Sequence, residues 1–312
     1  MRKAAMLRTA MLAVAALLLT ACAAPLPPRP DVPYGQGLLW QIDKPGVAPS
    51  YVFGTMHVSD SKVRDVPPEV REALARAEQA AFELVQEDED DPETKKQFFR
   101  AALLPGGLTL ETLLDDASYA QFIDIIESRA PDGVYLGELH VNRFKPWFVM
   151  LMIGSGGDGP RGWNPMAVSL DDWLEERARD DGKVIVGLET SSEQIAVFND
   201  MAMDDQVVLL KDRLADYDKG PNYWTWRQLY LDGDTAMFFG FWQATLARLE
   251  PGVAARFAER FLDGRNRIMV ERMMPLLEKA PTFVAVGALH LPGELGVLSR
   301  LAREGYTVTR LR

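Results

Sequence analysis

Two stretches of this chain, far apart in sequence, share one construction. Tyr51-Val52-Phe53-Gly54-Thr55-Met56-His57 and Phe283-Val284-Ala285-Val286-Gly287-Ala288-Leu289-His290 each run as a short apolar segment, then a Gly, then a His three residues on. Runs this short and this apolar read as strands buried on both faces, which needs a sheet covered by helices on both sides. Residues 80–85, with Glu83 among them, and residues 183–188, followed by Glu189, are two further runs of this kind. Between the runs lie stretches of helical spacing at 69–79, 95–104, 118–129, 144–153, 170–180, 193–218, much of 223–280, and 294–303. Leu38 to Ile42 and Tyr51 to Gly54, divided by Asp43-Lys44-Pro45-Gly46, read as paired strands, and residues 307–311 as a last strand. Strands alternating with helices define an α/β fold. The expectation is a mixed or largely parallel sheet flanked by helices, two similar halves forming one domain with an inserted helical region. The Gly-rich stretch 154–165 is the expected boundary between the halves.

Composition narrows the chemistry. The 312 residues contain one Cys and three His, against 34 basic and 45 acidic residues, for a net charge of −11. One Cys forms no internal disulfide and no multi-thiolate zinc site, so any metal would rest on imidazole and carboxylate. The acidic balance excludes a nucleic-acid partner, which requires a basic stripe to neutralise phosphates. The single Cys also has a distinct context. Arg2, Lys3 and Arg8 precede an uncharged run from Thr9 to Ala21, the pattern of a secretory signal too short to cross a bilayer. Its end, Leu19-Thr20-Ala21-Cys22, resembles the lipobox of bacterial lipoproteins, and Ala23 fits sorting to the outer membrane. The expected organisation is a signal peptide over 1–21, a Pro-rich tether lipid-anchored at Cys22 over 22–36, and one domain over 37–312. Acyl chains would hold that domain to the membrane, facing the periplasm, since each buried methylene contributes about 0.8 kcal/mol.

The polar groups fall where α/β sheets place ligands, in the crevice beyond the carboxyl ends of the strands. His57, His290 and Glu189 would emerge there, with Glu83 inside its own strand. Two imidazoles and two carboxylates suit manganese, cobalt, zinc or iron. Ser191 and Gln194 form an S-x-x-Q capping box, starting a helix just past Glu189. Pro292 reads as the first position of a helix containing Glu294, whose N-terminus would keep His290 neutral. His140 also follows a Gly by three residues but no apolar strand precedes it, so it reads as structural. Gly154-Ser155-Gly156-Gly157-Asp158-Gly159 matches the dinucleotide pattern, yet Pro160, Gly162 and Pro165 follow where a helix should start, so it reads as a loop.

These residues resemble the TraB/PrgY/GumN family, which includes the Tiki metalloproteases and is grouped with erythromycin-esterase-like and haem-uptake ChaN-like proteins. The matching pieces are Phe53-Gly54-Thr55-Met56-His57, Phe82-Glu83, Lys145-Pro146-Trp147, Gly187-Leu188-Glu189-Thr190 with Gln194, Gly233-Asp234, Arg265-Asn266, and Val286-Gly287-Ala288-Leu289-His290-Leu291-Pro292-Gly293. One departure is Ser169-Leu170-Asp171, where the family commonly has Gly-Leu-Asp. The resemblance implies His57, His290 and Glu83 as metal ligands, with Glu83, Glu189 and Arg265 as catalytic groups. The implied activity is metal-dependent hydrolysis of peptide or ester bonds in the bacterial cell envelope, on a peptide or small-molecule substrate. Two other readings are an envelope protein that binds haem, metal or a peptide signal without turnover, and a structural lipoprotein with a vestigial site.

Overall fold

The computed structural model describes residues 26–85, 92–129, 141–154, 168–217 and 219–312. Cys22, His140 and nearly all of the Gly-rich stretch 154–165, on which the expected anchor, structural histidine and boundary between halves fall, lie outside the described residues.

Six strands form one sheet: β1 (Leu39–Asp43), β2 (Ser50–Thr55), β3 (Gln79–Phe82), β4 (Val184–Gly187), β5 (Thr282–Gly287) and β6 (Thr307–Arg310), in the order β4-β3-β5-β2-β1-β6. β2, β3, β4 and β5 run parallel, while β1 is antiparallel to both β2 and β6. The sheet is mixed and mostly parallel, as the apolar runs imply. Alternation along β5 shows why those runs are apolar on both faces. Phe283 and Ala285 pack with Phe53, Phe82 and the helices Pro68–Arg76 and Leu170–Asp180. Val284 and Val286 point the other way, onto Met269, Val270 and Met273 of helix Gly264–Lys279 and Leu298 and Leu301 of helix Val297–Arg303. A second core among the helices of 104–217 holds Phe122, Ile125, Val149 and Leu210.

Residues 29–36, expected to be tether, are docked on the domain. Arg29 donates to both carboxylate oxygens of Asp234 at 2.9 and 3.1 Å, and the backbone N–H groups of Ala236 and Gly293 donate to the carbonyls of Gly35 and Pro33. Gly233, with φ of 66°, turns the chain so that Asp234 also caps helix Thr235–Arg248. The expected helix over 193–218 is two, Ser191–Asn199 and Met203–Ala215. The expected 294–303 helix starts at Val297, with Gly296 as its cap.

Candidate functional site

β2 and β5 are hydrogen-bonded neighbours, with Gly54 opposite Val286 and Thr55 opposite Gly287. The two Gly-x-x-His units therefore leave the sheet side by side at the same edge. β3 and β4 end at this edge too, and β3 stops at Phe82, so Glu83 is the first residue beyond its strand rather than inside it. The glycines serve close approach. A Cβ on Gly54 would lie 2.7 Å from Leu291 Cδ1 and 3.2 Å from Ala288 Cα, and one on Gly287 3.2 Å from Glu83 Oε1.

Four of the sequence-derived residues meet here. Arg265 Nη2 donates to Glu83 Oε2 at 2.8 Å and to Glu189 Oε2 at 2.6 Å, and its Nε donates to Glu189 Oε1 at 2.8 Å. Glu83 Oε1 accepts the Gly287 N–H at 2.6 Å and lies 3.6 Å from His290 Nε2. Glu189, His290 and Asn266 are buried, and only 12% of the Arg265 side chain is exposed. The inward aim of Arg265 comes from its helix. A π-turn at Glu259–Asp263 leads into Gly264–Lys279, whose buried face carries Asn266, Met269, Val270, Met273 and Leu277. Arg265 lies beside that face and reaches along the edge of the sheet.

His290 sits in a 3-10 turn, Ala288–His290, not beside a helix N-terminus. Its neutrality has another origin: burial pushes the imidazole down to about 4, against the pull of Glu83. The Asn266 side chain fixes the tautomer. Asn266 Nδ2 donates to the Leu295 carbonyl at 3.0 Å, so Oδ1 faces His290 Nδ1 at 2.6 Å and accepts a hydrogen bond from its N–H. Nε2 then carries a lone pair aimed at the Glu83 side. Burial acts to raise the Glu83 carboxyl, but the Arg265 guanidinium and the Gly287 N–H outweigh it and hold the carboxyl below its ordinary value.

His57 stands differently. Its side chain is 71% exposed and its Nδ1 lies 3.4 Å from Asp171 Oδ2. Asp171 also accepts the Thr55 hydroxyl at 2.6 Å. Ser169 caps helix Leu170–Asp180 in a reciprocal box with Asp172, which fixes the first turn that carries Asp171.

The helix after Glu189 is capped one residue earlier than expected. Thr190 and Glu193 form the box, which releases Gln194 to donate to Glu189 Oε2 at 3.1 Å. Arg272 donates to the Leu188 carbonyl and to both oxygens of Glu193, tying this junction to the same helix as Arg265. The Arg272 hydrogen bonds outweigh partial burial and hold the Glu193 carboxyl at about 2, against 4.5 for the free group. A carboxyl depressed by folding stabilises the fold above about pH 4.5, and the contribution drains away as pH falls through about 2. Both side chains are roughly 40% exposed, so screening limits the pair to about 1 kcal/mol. We expect the stability difference between wild type and Arg272→Met, from urea unfolding, to shrink between pH 6 and pH 2.5. A constant difference would show that the pair does not act through this carboxylate.

The fold and the cluster describe an α/β domain with a buried His and Glu joined to a partly buried Glu and Arg at the carboxyl edge of its parallel strands. The chain belongs to the TraB/PrgY/gumN family, whose sequence model matches residues 38–310. It is similar to Metalloprotease TIKI2 of Danio rerio, 27% identical over 318 residues covering 86% of this chain and 60% of the relative. Metalloprotease TIKI1 of Homo sapiens is 28% identical over 314 residues, covering 86% and 61%, and the Metalloprotease TIKI homolog of Amphimedon queenslandica is 28% identical over 320 residues, covering 88% and 61%. The chain thus spans about three-fifths of the length of these curated relatives. No solved structure matches it.

The relatives' name implies a metal, and the side chains here can be held against that. His290 Nε2 and Glu83 Oε1 are two donors facing one another, 3.6 Å apart, a span that two ligands of one ion can bridge at about 2.0–2.2 Å each. The remaining donors are engaged elsewhere. Both oxygens of Glu189 accept from Arg265, as does Glu83 Oε2, and His57 is turned to Asp171. Among the described residues no three His, Cys, Asp or Glu side chains gather closely enough to hold a metal ion, so His57, His290 and Glu83 do not form a joint ligand set as packed. As folded, the residues do not fit a closed ligand shell.

Proposed function

We propose that this chain is a hydrolase of the bacterial cell envelope, acting on peptide or ester bonds, lipid-anchored through Cys22 and facing the periplasm from the outer membrane. The observation that carries the hydrolytic reading is the pairing of a neutral, oriented imidazole nitrogen with an ionised carboxylate oxygen across 3.6 Å at the edge of the sheet. Both atoms are hydrogen-bond acceptors. One water can donate a hydrogen to each from about 2.8 Å, which turns its lone pairs outward toward a substrate carbonyl. As the oxygen attacks, one proton passes to the Glu83–His290 pair, and from there to the leaving nitrogen or oxygen. Arg265 holds Glu83 in place and keeps it ionised, and Asn266 holds His290 in the tautomer whose Nε2 accepts. The anchored location is supported by the lipobox-like end of the uncharged N-terminal run. The relatives named metalloproteases support a proteolytic class.

The test is a hydrolysis screen with the full-length chain on a peptide library and a panel of chromogenic esters, with and without added manganese or cobalt. Turnover of at least one class that disappears in Glu83→Gln is the expected result. Failure of every class under both conditions, with the protein folded, would sink the hydrolase reading in favour of a protein that binds without turnover.

A further inference from the structure

The mismatch between a metalloprotease relationship and a cluster whose carboxylates are already engaged comes down to one side chain. Arg265 brings a positive charge to the point where Glu83 Oε2 and Glu189 Oε2 converge, since one nitrogen, Nη2, donates to both at 2.8 and 2.6 Å. Its Nε takes the other oxygen of Glu189, and Gly287 takes the other oxygen of Glu83. Every carboxylate oxygen of the pair therefore has an N–H donor. The two negative charges are balanced down to one by the guanidinium, and His290 adds none. A divalent ion arriving at His290 Nε2 and Glu83 Oε1 meets two unfavourable terms: a fixed positive charge bonded to the same carboxylate, and a second carboxylate it cannot reach. Both terms vanish only when the guanidinium is removed altogether, because letting go of Glu83 alone leaves its Nε and Nη2 on Glu189.

We propose that Arg265 is a tethered cation that holds this site against divalent metal ions, its guanidinium standing on the carboxylates an ion would need. The proposal deepens the hydrolase reading and rests on it for the identity of the site, but its measurement needs no turnover, so either can fail alone. It also predicts an inverted mutational pattern. Removing a positive charge from an ordinary metal shell's surroundings alters affinity modestly, whereas removing a guanidinium that occupies the ligands themselves exposes both carboxylates to the ion.

The experiment is calorimetric titration of the full-length chain with cobalt(II) and manganese(II), with the cobalt visible spectrum reporting ligation, for wild type, R265Q, R265K and the double variant R265Q/H290A. R265Q is expected to bind cobalt about tenfold or more tighter than wild type, since electrostatic repulsion at a buried site is only weakly screened. The gain should disappear in R265Q/H290A, which places the ion at His290. R265K keeps the charge but has no Nε–Nη2 fork to hold both oxygens of Glu189, and is expected to fall between R265Q and wild type. Saturating cobalt should raise the melting temperature of R265Q by more than that of wild type, as binding to the folded state requires. Equal or weaker cobalt affinity in R265Q overturns the proposal, as does a gain that survives H290A. Should R265Q fail to fold, R265K decides: affinity no greater than wild type overturns the proposal equally.

Discussion

Glu83→Gln is expected to lower hydrolysis by about a hundredfold to ten-thousandfold, the usual worth of a positioned acid or base. The substitution keeps the shape of the side chain and an oxygen for the Gly287 N–H, but removes the charge that would take a proton from water. His290→Ala should give a loss of similar size, because Nε2 supplies the second acceptor that orients the same water. If the two side chains act as one unit, the double variant falls little below either single one. Independent, multiplying losses would show instead that they serve separate steps. Asn266 sets a sharper test of positioning. Asn266→Asp keeps an acceptor for His290 Nδ1 and is expected to retain most of the turnover rate, whereas Asn266→Leu leaves Nδ1–H buried without a partner and should lose it. A merely structural role for Asn266 would make both variants fail in proportion to their lost stability, measured by urea unfolding alongside the assay.

The strands that build this edge were legible because burial on both faces leaves a composition signal that needs no partner information. Phe283 to Val286 must be apolar at every position when odd residues meet one helical layer and even residues the other. What the sequence does not carry is the sheet order, since that β5 lies between β3 and β2 is a pairing of segments more than two hundred residues apart. The site was legible to the same extent. Glu189 and His290 announce themselves at strand ends and Glu83 as a carboxylate within an apolar run, but the aim of Arg265 does not show. Arg265, Arg267 and Arg272 look alike along the helix, and only the first reaches both glutamates. Asn266 had a readable sign, as a polar residue on the face shared by Met269, Val270, Met273 and Leu277. Such a residue is buried and must find a partner. The cap of the helix after Glu189 went one residue astray because Thr190-x-x-Glu193 and Ser191-x-x-Gln194 overlap. Arg272 decides between them by fixing Glu193, which frees Gln194 for Glu189. His57 shows the opposite limit: its match to His290 in local sequence says nothing of burial, and the two histidines end up in unlike surroundings, one at the surface and one in the core.

Glu189→Ala is expected to cost about 3–5 kcal/mol of stability, a large part of the roughly 5–15 kcal/mol that holds a domain folded. Glu189 is nearly inaccessible, and it accepts two of the three hydrogen bonds that Arg265 makes to carboxylates, together with one from Gln194. Its loss leaves the guanidinium buried with Glu83 alone. The cost therefore comes mostly from stranding a charge, not from losing a favourable contact. This has a consequence that separates it from ordinary cavity formation. Removing the guanidinium as well, in Glu189→Ala with Arg265→Met, should recover a substantial share of the stability, because the stranded charge is gone and a flexible apolar side chain fills part of its volume. Urea unfolding of wild type, both single variants and the double variant closes the cycle. Additive losses would mean that Glu189 is held by packing alone. A double variant more stable than Glu189→Ala would establish that the ion pair sets the cost, and that the fold retains these charges for the site they build.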